Sequence, residues 1–428
     1  MTRLLTIMGS GETAPTMIKP HRQLFDQLGS SVNAVLLDTP YGFQANADDI
    51  SAKAVEYFAA SVGRPVEVAG LRRKDGDPVV WAAALAKVRS AQWVFAGPGS
   101  PTYALRQWQD TDVPSLLSDK LEHGGAVVFA SAAALTLGRY TVPVYEIYKV
   151  GAEPVWQDGL SLLNALGPAF AEVAVIPHYD NAEGGHHDTR FCYLGEARLA
   201  RLEDQMGPDG WVLGVDEHTG CVFDLDAGQA TVVGNGVVTV RRQGKSTVLG
   251  SGTTLSIEEL IALSTGSSVV GASVVGSSAA SSTPGRPVGA GGAGRAPGAP
   301  TALHADIRRL EEEFDAAVTA RDVDGAVRAV LELDDTLVAW AGDTTQSDAG
   351  ARGRAAIRRM VSRLGELAIA GARDPREVVG GFVESLLAER AAARADRRFA
   401  DADRIRDSLT GCGVEVRDTP DGTVWDLQ

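Results

Sequence analysis

Cysteine is scarce in this chain: three residues among 428, Cys192, Cys221 and Cys412, set far apart. That spacing offers neither a disulfide framework nor a set of zinc ligands. Long apolar runs are missing as well. Nothing approaches the ~20 consecutive apolar residues that a membrane span needs. The N-terminal MTRLLTIMGSGE has too short an apolar stretch for a signal peptide. Positive charge is outweighed: 40 Lys and Arg stand against 55 Asp and Glu, a formal net charge of −15. A general polyanion binder is thereby disfavoured, although a local arginine stripe is not. Lysine does not occur after Lys245, so every fixed positive charge beyond it is an arginine. These absences predict a soluble cytoplasmic protein with no metal, no cofactor and no membrane contact.

What is present divides the chain in three. Through about residue 250, β-like and helical patterns alternate between short polar breaks. Apolar runs at 4–8, 34–37, 93–96, 126–129 and 173–176 read as strands buried on both faces, and 78–90 and 113–123 carry helical spacing. This predicts an α/β domain with a parallel sheet, helices on both faces and a site at the C-terminal strand ends. Short strands with Gly and Asn turns follow residue 211, and SIEELIAL (256–263) opens like a capping box on Ser256 and Glu259. Residues 265–303 are dominated by Gly, Ser, Ala and Pro with almost no charge, a composition that cannot offset its ordering entropy. They predict a flexible tether of roughly 35 Å root-mean-square span. From residue 304 the chain reads as a separate all-α bundle. Its expected apolar stripes are Ile307, Leu310, Phe314, Val318; Val327, Leu331, Leu337, Trp340; and Ile357, Val361, Leu364, Leu367, with a small hairpin at Pro420-Asp421-Gly422. The expected domains are therefore 1–264, 265–303 and 304–428.

Chemistry concentrates in the first domain. GGAVVFASAAALTLG (124–138) reads as a buried strand that stops at Ser131 and turns directly into a helix of small residues. A serine on such a turn has an exposed hydroxyl, with backbone N–H groups behind it to meet a developing oxyanion. A helix-capping serine would look similar. An activated serine needs a base, and that base needs an orienting acid. His178, at the end of the 173–176 strand, is the candidate base; Glu217 or Asp180 is the candidate acid.

At these positions the chain resembles the cyanophycinase and dipeptidase E family of serine peptidases, which share the flavodoxin-like fold of class I glutamine amidotransferases. Gly97-Pro98-Gly99-Ser100 resembles that family's glycine-rich loop, and Phe129-Ala130-Ser131-Ala132-Ala133-Ala134 its serine elbow. His178-Tyr179 and Gly214-Val215-Asp216-Glu217 resemble its histidine and acid segments. The resemblance implies Ser131 as nucleophile, His178 as general base, Glu217 as orienting acid, and an oxyanion hole from the amides of Gly99 and Ala132. Phe129 and Ala133 depart from it, standing where the elbow has glycine, and a phenyl ring two residues before the nucleophile is expected to crowd the turn.

Other residues carry weaker expectations. Glu12 and Asp38 follow strands and are candidate pocket residues; Ser100 and Arg190 are candidate substrate contacts, Arg190 for a substrate carboxylate. DTPYGFQAN (38–46) reads as a pocket wall. His186, His187 and Asp188 lie on a glycine-rich loop where adjacent histidines point apart, so a solvated or substrate-gating loop is expected there rather than a metal site. Cys192 reads as a packing residue.

The tail LLAERAAARADRRFADADRIRDSLTGCGVEVRDTPDGTVWDL (386–427) resembles the C-terminal end of cysteinyl-tRNA synthetase. Glu389-Arg390 with Ala393-Arg394, then Ala402-Asp403 with Ile405-Arg406-Asp407 and Leu409, then Gly413 through Gly422-Thr423 and Trp425, carry the likeness. No nucleotide-binding motif of the synthetase's catalytic half occurs, so the resemblance implies tRNA contact without aminoacylation. Arg390, Arg394, Arg397, Arg398 and Arg404 are the candidate RNA-binding strip; a helix laced with Asp401, Asp403 and Asp407 is the plainer alternative. The expected partners are a small peptide, amide or ester substrate, tRNA, and a second copy of the chain. Two functions stand side by side: a serine hydrolase with a docking domain, or a catalytically impaired pseudoenzyme that binds a small ligand and a tRNA or protein partner.

Overall fold

The computed structural model describes residues 2–183, 187–265, 275–277, 302–320, 322–343, 349–371, 375–419 and 422–427. Two compact units emerge, one of Met1–Ile307 with Asp334–Gly353, the other of Arg308–Leu333 with Arg354–Gln428. Of the expected tether, only Thr265, Val275–Ser277, Ala302 and Leu303 are described; the rest lies outside the described residues.

The first unit is α/β. Its strands are β1 (Arg3–Met8), β2 (Ala34–Leu37), β3 (Glu67–Val68), β4 (Trp93–Ala96), β5 (Gly125–Ala130), β6 (Tyr140–Thr141), β7 (Gln157–Asp158) and β8 (Val173–Ile176). They continue as β9 (Trp211–Val215), β10 (Thr219–Asp224), β11 (Gln229–Gly234), β12 (Val237–Arg242), β13 (Lys245–Gly250), β14 (Thr254–Ser256) and β15 (Val275–Ser277). One sheet runs β14-β11-β10-β1-β5-β4-β2-β3 and a second β15-β13-β12-β9-β8-β6-β7. In the first, β1, β5, β4, β2 and β3 pair in parallel, and β10, β11 and β14 add an antiparallel edge.

Four of the five apolar runs thus form the expected parallel sheet, but β8 joins the second sheet, parallel to β9. A strand buried on both faces carries no periodicity that tells which sheet it enters. One apolar cluster holds Val127 and Phe129 of β5 together with Val173, Val175, Leu213 and Val238, so a single core joins both sheets. The opposite face of β5, Ala126, Val128 and Ala130, packs with Leu24, Phe25, Phe58, Trp93 and Phe95. The capping box forms at the helix Ile257–Ser264: Glu259 N–H donates to Ser256 Oγ, and Ser256 N–H donates to Glu259.

Of the two units, the second contains most of the helices Ala302–Ala320, Val323–Ala339, Ala349–Gly371, Pro375–Ala395 and Phe399–Gly411, and a hairpin of β16 (Val414–Thr419) and β17 (Gly422–Leu427). Pro420 and Asp421 at its turn lie outside the described residues. Ile307, Leu310 and Phe314 are buried as their stripe predicts. The next two stripes hold only in part: Trp340 is buried, and Leu337, Ile357, Leu364 and Leu367 are half-buried. Val327, Leu331 and Val361 are exposed, and Ala326, Ala329, Leu333, Ala356 and Met360 are buried instead. These helices turn alanine inward, which a pattern read from large apolar residues misses.

Candidate active site

Ser131 opens the helix Ser131–Leu135 directly from β5, with φ at 50°. Non-glycine residues seldom adopt that left-handed region, and where they do the surroundings hold the strain. Phe129 does not crowd the hydroxyl. Its side chain is fully buried on the core face of β5, 5.6 Å from the Trp108 ring, because alternation along the strand turns it into the interior. Ala133 needs only the space of a methyl group, and its N–H donates to the Gly97 carbonyl at 3.1 Å. Of the helix amides behind the serine, that of Ala133 is therefore already taken.

His178 follows the end of β8 and also has positive φ, 47°. Its Nε2 lies 3.0 Å from Ser131 Oγ, and its Nδ1 lies 2.9 Å from Glu217 Oε1. Asn181 Nδ2 donates to the same Glu217 oxygen at 3.2 Å. The other candidate acid is Asp180. Its Oδ1 instead accepts the backbone N–H of Glu217 at 2.8 Å. The acid on the imidazole is Glu217, and Asp180 anchors the turn that carries it. The sequence reading gives Asn181 no role, although it stands three residues after His178.

A left-handed turn secures the histidine from behind. Phe191, Cys192 and Tyr193 have φ of 59°, 55° and 65°, each costing roughly 1–2 kcal/mol for an L-residue. Phe191 N–H donates to the Tyr179 carbonyl at 3.0 Å, and Cys192 N–H to the His178 carbonyl at 3.1 Å. The Cys192 thiol is buried, and that burial pushes its pKa up, which suits packing rather than nucleophilic work.

The electrostatics follow from burial and pairing. Desolvation opposes a charge on His178, but the hydrogen bond and charge of Glu217, with Glu12 and Glu183 beyond, outweigh it and raise the pKa above 6.5. Glu217 is likewise desolvated, yet the His178 contact holds its pKa below the usual glutamate value.

A cavity of about 320 Å³ opens on Ser131, lined among others by Glu12, Tyr41, Gln44, Tyr145 and Tyr193. The 38–46 segment does form part of its wall, through Tyr41 and Gln44. Gly99, at φ 138°, also lines it; a Cβ there would sit 2.1 Å from the Pro40 carbonyl oxygen, so only glycine fits. Ala132 lines the same space. Three expected residues lie elsewhere. Ser100 Oγ accepts the Tyr103 N–H at 3.1 Å and so caps the helix Pro101–Trp108. Asp38 is buried against Arg72 and accepts the N–H groups of Gly70 and Leu71. Arg190 forms a two-bond pair with Asp188, both contacts 2.8 Å, two residues away on its own loop. Among the described residues no His, Cys, Asp and Glu cluster could hold a metal; His186 lies outside them, and His187 is exposed.

In the second unit the expected arginine strip is largely occupied. Arg390 is buried, with both terminal nitrogens on Asp418 at 2.7 and 2.8 Å, and Arg394 pairs with the same carboxylate. Arg398 and Arg404 both pair with Asp401. Only Arg397 of the five makes no ion pair among the described residues. No helix there or elsewhere in the described residues is long and apolar enough to cross a membrane.

Residues 381–425 match the family model of the cysteinyl-tRNA ligase anticodon binding domain. The cysteine–tRNA ligase of Nocardioides sp. (strain ATCC BAA-499 / JS614) is 56% identical over 50 residues, 12% of this chain and 11% of that enzyme. That of Anaeromyxobacter sp. (strain K) is 42% identical over 83 residues, 18% of this chain and 17% of that enzyme. The chain thus spans less than a fifth of the length of these curated relatives. Among solved structures, a peptidase from an acI-B1 Actinobacterium is similar at TM-score 0.48 and 19% identity, over 60% of this chain and 97% of that one.

Proposed function

We propose that the first unit is a serine hydrolase acting on a small peptide, amide or ester. The observation that carries this reading is the continuous line from Ser131 Oγ through the His178 ring to Glu217, set at a serine of positive φ. Glu217 accepts a hydrogen bond from Nδ1–H, which keeps the proton on that nitrogen and leaves Nε2 as the acceptor facing Ser131. His178 takes the Oγ proton as Oγ bonds to the substrate carbonyl carbon, and the oxyanion meets the N–H groups of Ala132 and Gly99. The proton passes to the leaving nitrogen or oxygen as its bond to carbon breaks. Water, deprotonated by the same imidazole, bonds to the acyl carbon; the carbon–Oγ bond breaks, Oγ takes the proton back and the acid leaves. The test is labelling of the full chain with a fluorophosphonate. Labelling that disappears in Ser131→Ala supports the hydrolase; folded wild-type protein that takes no label favours the non-catalytic binder.

For the second unit the partner we infer is tRNA, on the strength of the 381–425 match. Because four of the five candidate arginines are ion-paired, phosphate contact there needs exchange of partners or uses Arg397. Filter binding of tRNA to the full chain across a salt series tests this: affinity falling steeply with salt supports it, and weak binding at every salt level removes it.

A further inference from the structure

A buried guanidinium stands behind the histidine. Arg241 lies on β12, and its Nε and Nη2 donate to Glu203 Oε2 at 2.9 and 2.8 Å. Nη1 donates to Glu196 Oε2 at 3.0 Å, and Nη2 also donates to Glu196 Oε1. The second Glu203 oxygen accepts the Gly244 N–H at 3.2 Å, from the turn after β12. Both glutamates belong to the helix Gly195–Glu203, which opens two residues after Tyr193. The Arg241 and Glu203 side chains are only 4% and 7% exposed, and a pair so buried gains little stability over apolar packing, because desolvation offsets the attraction. What a planar fork on two carboxylates does supply is direction: it fixes where the helix begins and how it is turned.

The same guanidinium reaches the turn that holds His178. Its centre lies 5.4 Å from the centroid of the Phe191 ring, and that ring lies 4.5 Å from the Tyr179 ring. Tyr179 is seated on β9: its N–H donates to the Val215 carbonyl at 3.1 Å, and its ring fills the space beside Gly214, where a Cβ would lie 2.4 Å from it. Phe191 and Cys192 donate their N–H groups to the carbonyls of Tyr179 and His178. The left-handed backbone of Phe191, Cys192 and Tyr193 persists only where its surroundings over-determine it.

We propose that Arg241 is a positioning residue for the reaction: through Phe191 and the helix Gly195–Glu203 it holds the left-handed turn, and the turn holds the His178 ring between Ser131 and Glu217. The inference rests on the serine-hydrolase reading of the site. Without the fork, the turn relaxes toward ordinary backbone and its two N–H groups leave the carbonyls of Tyr179 and His178. The imidazole then loses its aim on the hydroxyl while the strands stay paired.

The experiment compares the full chain in wild type, in Arg241→Lys, which keeps the charge and loses the fork, and in Phe191→Leu, which keeps the ion cluster and loses the ring. Fluorophosphonate inactivation, expressed per folded molecule, should slow about tenfold or more in each variant. Proton NMR gives a readout independent of Ser131: the low-field signal of the His178 Nδ1 proton on Glu217, assigned by its loss in His178→Ala, should broaden or vanish in both. Should Arg241→Lys not fold, Phe191→Leu carries the test. A signal missing from wild type, or a signal or rate left unchanged in a folded variant, overturns the proposal, whatever the unfolding temperature does. If wild type takes no label, yet shows the signal and the variants lose it, Arg241 positions the ring and the hydrolase reading fails.

Discussion

Around Ser131 the ionisable side chains are few, shielded from solvent and joined end to end; in the C-terminal unit they are many, mostly exposed and paired with near neighbours. His178 and Glu217 are pinned by Asn181, Asp180 and the turn at Phe191–Tyr193, so their order is built into the backbone. Arg398 and Arg404 share Asp401 on an exposed helix, where such pairs contribute about 0–1 kcal/mol and exchange readily. Charge that is buried and aimed reads as chemistry, whereas charge that is exposed and locally matched reads first as helix surface. Arg390 is the exception in its own unit, buried and bidentate on Asp418, and behaves like a fold contact.

Breaking this contrast at its strongest point means removing the serine. Ser131→Ala or His178→Ala should reduce fluorophosphonate reactivity by about 10³-fold or more, with the unfolding midpoint little changed. Glu217→Gln comes next; it keeps the shape and loses the charge that orients the imidazole, and should cost about 10²-fold or more in the same assay. Wild-type reactivity should also rise with pH through a midpoint above 6.5, because His178 must be neutral to accept a proton and its contacts favour the protonated form. A midpoint at or below 6.5 would mean that Glu217 does not act on the ring. Stability sharpens the comparison further. Phe129→Ala should destabilise the first unit by about 3–5 kcal/mol in denaturant unfolding, since the ring belongs to the core. Arg390→Ala should cost about 1–3 kcal/mol, and Arg397→Ala less than about 0.5 kcal/mol. Equal losses for the two arginines would erase the distinction drawn between them.

Much of this site was legible in the residues. The strand that stops at Ser131, the histidine after VAVI and the Gly-Val-Asp-Glu segment each announce a strand end, and strand ends converge in an α/β sheet. The choice between Asp180 and Glu217 was not legible, because it depends on a positive φ at His178 that no local pattern signals. Phe129 looked obstructive because glycine is the usual occupant there, yet its burial follows from the alternation of β5. Ser100 and Arg190 were misplaced for one shared reason: each satisfies itself nearby, on the Tyr103 amide and on Asp188, before any substrate is present. In the helices, the buried alanines at 326, 329 and 356 were invisible to a reading keyed to bulk.

The two halves of the proposed relay come from different sheets. Ser131 leaves β5 of one, while His178 and Glu217 leave β8 and β9 of the other. Slippage of one sheet against its companion by a single ångström would part the hydroxyl from the imidazole without disturbing either sheet internally. During folding, a chain with one sheet assembled and its companion still open would carry a serine without its base. Such a protein would complete the proposed relay last, after the halves had locked.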